Sequence, residues 1–481
     1  MLSLSRMRLN NTTISKLFLG GSYSYVLVLV LSSLSNFFFW DTVQLASKHA
    51  LFFFDTNFGS VLLPTHLDSG HIPTFGWVLA VFWKLFGKTL WIGHLLMLPF
   101  GIGIVYQLQR LSQRFISAPW AGVVTFLILL DPTLSSQLTL VTPDIPLVFA
   151  FLWLVNSVLS NSRKGIAVSV ALLFLISMRG MMIAFCVLLL DIFLTISLKD
   201  AKKSIVKNLF RKSLAYLPAV FIFLTYFGYH YAVKGWVGFH ADSPWAESFA
   251  RVGWTGFLRN IGILGWRLID FGRIGIWLVL GILLVKYQKQ LFQKKMKPLL
   301  WLALVVCCLL PLNMLWAKGL LGHRYLLPMY LLVACVVLFS LASEGIPKKL
   351  RTAAAIGIGL LLLSGNGWIY PPKVAQGWDA SLAHQPYYSL RLEALEYLEV
   401  ADISSEETAS FFPNIAPFSA IDLNEKPGRF QKFDGNQHYV FYSNVFNLTD
   451  EEWRWLEADY SEVKRFEARG VWVAIYSRNR P

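Results

Sequence analysis

Charge is scarce in this chain, and negative charge is scarcest. Of 481 residues only 15% are charged, while 55% are hydrophobic and 15% aromatic. A water-soluble globular protein carries roughly 25% charged residues. A chain solvated by water over its whole surface is therefore excluded. Eleven acids precede residue 371: Asp41, Asp55, Asp68, Asp131, Asp144, Asp191, Asp200, Asp242, Glu247, Asp270 and Glu344. The other 17 of the 28 acids lie in the last 111 residues, beside 11 of the 43 Lys and Arg. That tail carries −6, so the first 370 residues carry +21 of the net +15. A basic apolar body and a mildly acidic tail imply two solvents.

Other absences narrow the class further. The four cysteines, Cys186, Cys307, Cys308 and Cys335, sit in hydrophobic runs without a CxxC spacing. This excludes a disulfide framework and a cysteine metal site. No P-loop or nucleophile elbow is written anywhere in the chain. The basic excess comes without a nucleic-acid-binding motif, so no nucleic-acid partner is expected. No internal repeat is visible, and paired broken helices in two halves, the mark of an inverted-repeat transporter, are missing.

What is present is a series of apolar runs. A helix needs about 20 apolar residues to cross a bilayer. Runs near 18–39, 90–109, 119–135, 144–160, 166–178, 180–197, 213–233, 265–285, 298–316, 324–342 and 352–369 predict eleven spans. Arg179-Gly180 predicts the break between the fifth and sixth. The amphipathic, Trp- and Phe-rich segment 73–86 is short and is expected to lie on the membrane surface. The basic N-terminus lacks an A-x-A cleavage site, so the first span is expected to stay uncleaved.

Charge orients the spans. With the N-terminus in the cytoplasm, Arg6, Arg8, Lys16, Arg110, Arg114, Arg163, Lys164, Lys199–Lys212, Lys286–Lys297 and Lys348–Arg351 share one side, as the positive-inside rule demands. Asp41, Asp55, Asp68, Asp131, Asp144, Asp242, Glu247 and Asp270 then fall on the outer face, together with the tail. The fold class expected is an α-helical polytopic membrane protein with a small C-terminal soluble α/β domain. Residues 1–370 form the membrane part, with its first outer loop at 40–88, and residues 371–481 the soluble part. In the tail SLRLEALEYLEV reads as a helix running into a strand. QHYVFYSNVF and GVWVAIYSR read as strands, and TDEEWRWLEADY as a helix capped by Thr449.

Four stretches carry candidate chemistry. Asp41 follows the aromatic end of the first span, where a partly desolvated carboxylate suits a general base. It is equally well placed to cap the next helix. HLDSGHIP places Asp68 between His66 and His71, apt for a phosphate or a metal, or for a plain structural turn. Asp131 and Asp144 open helices in LDPTLSSQLTLVTPDIP, where capping is the simpler role and substrate contact by Asp144 the sharper one. WAKGLLGHRYLLP puts Lys318, His323 and Arg324 at an outer helix end, against the positive-inside trend. Such cations suit a lipid phosphate, and the alternative is anchoring in the interfacial belt. Arg179 is a second outer-face exception, and Arg251, Arg259, Arg267 and Arg273 extend the basic set.

Taken in order, the acid after the first span, DSGHIPTFGWVLAVFWKLFG, DP…TPDIPLVF and HRYLLP resemble the GT-C glycosyltransferases over residues 18–342. They are similar in particular to bacterial members related to protein O-mannosyltransferases and aminoarabinose transferases. The resemblance implies a polyprenyl-phosphate sugar donor, a lipid, glycan or protein acceptor, inversion, and catalysis on the extracytoplasmic face of a bacterial inner membrane. It implies a catalytic acid in the first loop, usually an Asp-Glu pair. Here the pair reads Asp41-Thr42, with Asp68 as the other acid to consider. His71-Ile-Pro73 resembles the family's HPP-like element. His71, Arg179, Asp144, Lys318, His323 and Arg324 are the implied substrate contacts. No cofactor is required; a divalent metal (Mg or Mn) is admitted without a ligand set. The tail resembles an appended periplasmic domain. The rival classes are a lipid-linked glycan transporter or flippase, which needs mid-span polar residues, and a polysaccharide polymerase or ligase, which places its large loop later.

Overall fold

The computed structural model describes residues 11–197, 205–243, 245–424 and 427–479. Arg6 and Arg8, and Lys199, Asp200, Lys202 and Lys203 of the basic loop, lie outside them. Each of the eleven apolar runs is occupied by a helix. Six helices among the described residues are long and apolar enough to cross a bilayer, from Thr13–Leu31 to His323–Leu341. Two bent pairs raise the number to eight. The remaining runs fall short of this measure. Asp144–Leu159 has 16 residues and Arg163–Ile176 has 14, and Lys348–Gly365 opens on two lysines and an arginine. Thr74–Phe86, at 13 residues, is only ~20 Å long.

Local chemistry explains the bends. Ala118–Leu129 turns by 72° into Pro132–Leu138, where Pro132 removes a helical N–H and the Asp131 carboxylate accepts from Thr133 N and Leu134 N. Trp254–Ile269 turns by 91° into Ile274–Lys286 through Phe271 and Gly272, both at positive φ. Glycine is required at 272: a Cβ there would stand 1.9 Å from the Leu361 carbonyl oxygen. The break near Arg179 is real and falls at Ser177, whose extended backbone separates Arg163–Ile176 from Met178–Ser197. Phe221 and Leu224 of Leu217–Lys234 remain 71% and 63% exposed, as expected where the solvent is lipid.

The tail forms a five-stranded sheet of β1 (Thr408–Ser410), β2 (Gln431–Lys432), β3 (Tyr439–Ser443), β4 (Tyr460–Ala468) and β5 (Val471–Arg478). Their order is β2-β1-β3-β5-β4, with β1 parallel to both neighbours and the remaining pairs antiparallel. Helix Tyr387–Val400 covers SLRLEALEYLEV entirely, and Thr449 closes a capping box with Glu452 on Asp450–Asp459. Strand β4 has no counterpart in the sequence reading. Its exposed face alternates Glu, Lys and Arg, which hides it from a hydrophobic pattern.

The tail is fused to the first loop by one apolar core. Phe37, Phe38, Phe39, Val43, Phe53 and Leu79 pack in the same cluster as Trp378, Tyr387, Tyr388, Phe441 and Ile475. Phe39 stacks on His384 with ring centres 4.8 Å apart. Phe38 N donates to the Ile421 carbonyl, and Ser47 Oγ to the Ala420 carbonyl. A separate cluster fills the helical body. At one end Arg114 donates to the Leu159 carbonyl, Lys295 to that of Phe115 and Arg351 to that of Ala342, and Lys212 meets Asp191 at 2.5 Å. Asp41, Asp131, Asp144 and Asp270 gather at the other end, under the tail.

Candidate active site

The aromatic run Phe37–Trp40 follows the end of the first helix, Asn11–Leu31, and Trp40 takes a positive φ. Thr42 closes the turn: its hydroxyl donates to the Phe39 carbonyl (2.6 Å) and accepts from Phe39 N (2.9 Å). The chain then enters a π-helical turn, Val43–Lys48, a rare geometry that is frequent at functional sites. Only the main-chain carbonyl of Asp41 serves the helix start, receiving Gln44 N and Leu45 N. Its carboxylate is left free to turn inward. The capping role weighed for that side chain is not the one it takes.

Inward it meets Arg324, which opens the last of the six span-length helices from the short turn His323–Leu326. Arg324 Nη2 donates to Asp41 Oδ2 and to Tyr325 Oη (2.8 Å). Tyr325 Oη also lies 3.4 Å from the same carboxylate oxygen. On its other edge, Arg324 Nε faces Asp379 Oδ2 at 3.4 Å and Asp144 Oδ2 at 3.9 Å. Asp144 is bonded by Arg179 and by Thr142 Oγ1, and Arg179 also donates to the Arg324 carbonyl. Both guanidiniums lie against the Tyr325 ring, at 4.7 and 4.8 Å. A buried arginine persists only when paired, and this one has three carboxylates around it.

This cluster forms one wall of a cavity of about 750 Å³. Asp41, Arg324, Tyr325 and Lys318 line it from the helical body; Gln376, Asp379 and Phe412 line it from the tail. Its size falls in the range of small-molecule sites. Lys318 stands at the exposed rim, 2.5 Å from Glu247. Arg267 also lines the cavity and faces Asp270 at 3.8 Å.

The remaining sequence candidates occupy a second tier. His323 is buried behind the cavity, its Nε2 2.8 Å from Asp270 Oδ2. Tyr370, the last residue before the tail, bonds the same carboxylate oxygen, and Trp266 and Arg267 donate to Tyr370 Oη. His71 is close enough to Arg179, Asp68 and Asp144 to feel their charges. Burial first, then Arg179 and His49, push it down to about 4, so it is neutral at physiological pH. Its Nδ1 has no hydrogen-bond partner among the described residues.

Asp68 does not line the Asp41 cavity. It is buried and bonded by Lys234, by His230 Nε2 (3.0 Å) and by Gly70 N (2.8 Å). Burial opposes its ionisation, yet Lys234, Gly70 and His230 together hold the carboxyl below its ordinary value. The first loop is thereby tied to the end of Leu217–Lys234. His66 stays exposed, and Asp55 is an exposed residue at the end of the helix His49–Asp55. Asp131 is a structural acid: besides capping, it takes Arg273 at 2.7 and 2.8 Å.

Three residues of the site escaped the sequence reading. Tyr325 adjoins a flagged arginine, and Arg267 was grouped only with surface cations. Asp379 stands in GWDASLAHQP, where no local signal marks it. Among the described residues no group of three or more His, Cys, Asp or Glu is placed to hold a metal ion.

No family model matches this chain, and no curated protein matches it. Among solved structures, ArnT from Cupriavidus metallidurans bound to undecaprenyl phosphate aligns with a TM-score of 0.53 at 13% identity, covering 96% of this chain and 97% of that one. The apo state of the same protein aligns with a TM-score of 0.52 at 12% identity and the same coverage. At such identity the likeness is one of fold, and over almost its whole length this chain adopts the fold of ArnT.

Proposed function

We propose that this protein is a membrane glycosyltransferase that moves a sugar from a polyprenyl-phosphate donor to a lipid, glycan or protein acceptor at the cavity between the helical body and the tail. The observation that carries the reading is the pairing of Asp41 with Arg324 on the wall of that cavity. A carboxylate and a phosphate-binding cation side by side are what the transfer needs. Support also comes from the fold it shares with a protein crystallised with undecaprenyl phosphate.

In this reading Arg324, with Arg179 behind it and Lys318 at the rim, receives the donor's phosphate. Guanidinium is suited to that bidentate contact. The acceptor hydroxyl oxygen attacks the anomeric carbon as the bond from that carbon to the phosphate oxygen breaks. The polyprenyl phosphate leaves with the electron pair, stabilised by fixed cations in a partly water-excluded site. The hydroxyl proton passes to Asp41. A single displacement inverts the anomeric carbon. Residues 1–370 are the catalytic membrane part, and residues 371–481 complete the cavity from outside. In this reading the N-terminus lies in the cytoplasm and the site faces the extracytoplasmic side of a bacterial inner membrane; the positive-inside pattern of the sequence supports it.

Mass spectrometry of envelope glycans and glycolipids from cells with and without the gene tests the reading. Loss of one sugar substituent without the gene is expected. An unchanged glycan inventory contradicts it.

A further inference from the structure

Of the three carboxylates around Arg324, only Asp379 comes from the tail. Its short turn, Trp378–Ala380, is pinned to the helical body through its main chain: Ser136 Oγ and Gln137 Nε2 both donate to the Asp379 carbonyl at 2.8 Å. The side chain is thereby delivered to the Nε edge of Arg324, while Asp41 holds Nη2. Asp41 and Asp379 both line the cavity; Asp144 is set back, engaged by Arg179 and Thr142.

The charge count is unbalanced. Asp41, Asp144 and Asp379 face only two guanidiniums, Arg324 and Arg179, which leaves one negative charge over. Of the other cations lining the cavity, Arg267 faces Asp270, and Lys318 stands at the exposed rim beside Glu247. A phosphodiester adds a further negative charge. Like charges crowded into a buried site are relieved by taking up a proton, as in paired catalytic carboxylates.

Building on the donor-phosphate reading above, we propose that Asp379 is a positioning residue that takes up a proton when the donor's phosphate binds. Proton uptake releases the Nε edge of Arg324 to the phosphate. It also couples donor binding to the seating of the tail. Burial pushes the Asp379 carboxyl up, Arg324 pulls it back, and Asp41 and Asp144 add to the rise, leaving it at about 6. The charged and titratable groups facing it are Arg324 and Tyr325 from the turn His323–Leu326, Asp41 from the first loop, Asp144 from Asp144–Leu159, Arg179 behind that acid, and His323, whose Nδ1 lies behind Gly377. A phosphodiester has no proton to exchange near neutrality, so a pH slope in its binding reports the protein.

The test is equilibrium binding of a polyprenyl methyl phosphodiester to the full chain in phosphatidylcholine nanodiscs, between pH 6 and pH 8. If binding requires protonated Asp379, wild-type affinity falls ~50-fold across that range. The uncharged Asp379→Asn protein is expected to bind at pH 8 as tightly as wild type at pH 6, with a flat profile. A flat wild-type profile overturns the proposal without any variant, and so does an Asp379→Asn protein that keeps the wild-type slope. Arg324→Ala separates the two levels. If it binds the probe as wild type does, the donor-phosphate reading itself fails. If it loses the probe while the wild-type profile is flat, only the role of Asp379 fails.

Discussion

Asp41 and Arg324 stand 283 positions apart in the chain and share a hydrogen-bonded ion pair on the wall of one cavity. Neither is satisfied by its own element. The Asp41 carboxylate does not cap its helix, and Arg324 lies at a helix N-terminus, the end that disfavours a cation. Two residues held against local preference are held by each other, and a ligand phosphate competes for the arginine.

Replacing Arg324 with lysine keeps the charge and removes the planar fork. Lysine cannot serve Asp41 on one edge and Asp379 on the other. Donor affinity is expected to fall ~10-fold or more, with normal membrane insertion, since one charge-assisted hydrogen bond is worth roughly 1.5–3 kcal/mol. Titration of the purified protein with a polyprenyl phosphodiester checks this.

Thr42 occupies the place where the resemblance leads one to expect a second acid. Its hydroxyl is committed to Phe39 and its side chain is buried, so a carboxylate has neither room nor a partner there. Thr42→Glu is expected to cost roughly 3 kcal/mol or more of stability and not to raise activity. A thermal melt in detergent beside a transfer assay separates the two effects.

Arg273 and Asp131 form a fully buried bidentate pair at the 72° bend, with Tyr330 against the guanidinium at 4.0 Å. Arg273→Ala leaves Asp131 buried and unpaired. The expected loss is ~3–5 kcal/mol of stability, read as a lowered melting midpoint. Protein that stays folded should bind the donor unchanged.

Asp68 gives a pH-dependent signature. Its folded carboxyl is held below the ordinary 3.8, so its contribution to stability is complete above that value. The contribution is lost as pH falls through the lowered one. Wild type is expected to lose melting temperature as pH falls below 3.8, over a range in which Asp68→Asn, already destabilised, loses less. Equal acid sensitivity in the two proteins would show that Asp68 does not anchor the first loop through its charge.

The sequence revealed those residues that break a local rule. Asp41 is an acid beside a bilayer, and Arg324 is an outer-face cation; each is conspicuous on its own. Asp68 was conspicuous too, but beside His66 and His71. Its partners, His230 and Lys234, come from a helix more than 160 positions later. The π-helical turn after Asp41 and the entry of Asp379 from the tail depend on tertiary packing, and nothing in WDTVQLASK or GWDASLAHQ announces them. The helices were legible because lipid demands long apolar runs, and Asp131 was legible as a helix opener; the bend at Gly272 was not, because single residues set it.

The central claim is that Asp41 takes the proton as a sugar leaves its lipid phosphate. A general base contributes ~10²–10⁴-fold. Cells lacking the gene should regain the missing glycan substituent when given the wild-type gene and not when given Asp41→Asn at equal membrane abundance, as read by mass spectrometry of the envelope. Full restoration by Asp41→Asn would contradict the account.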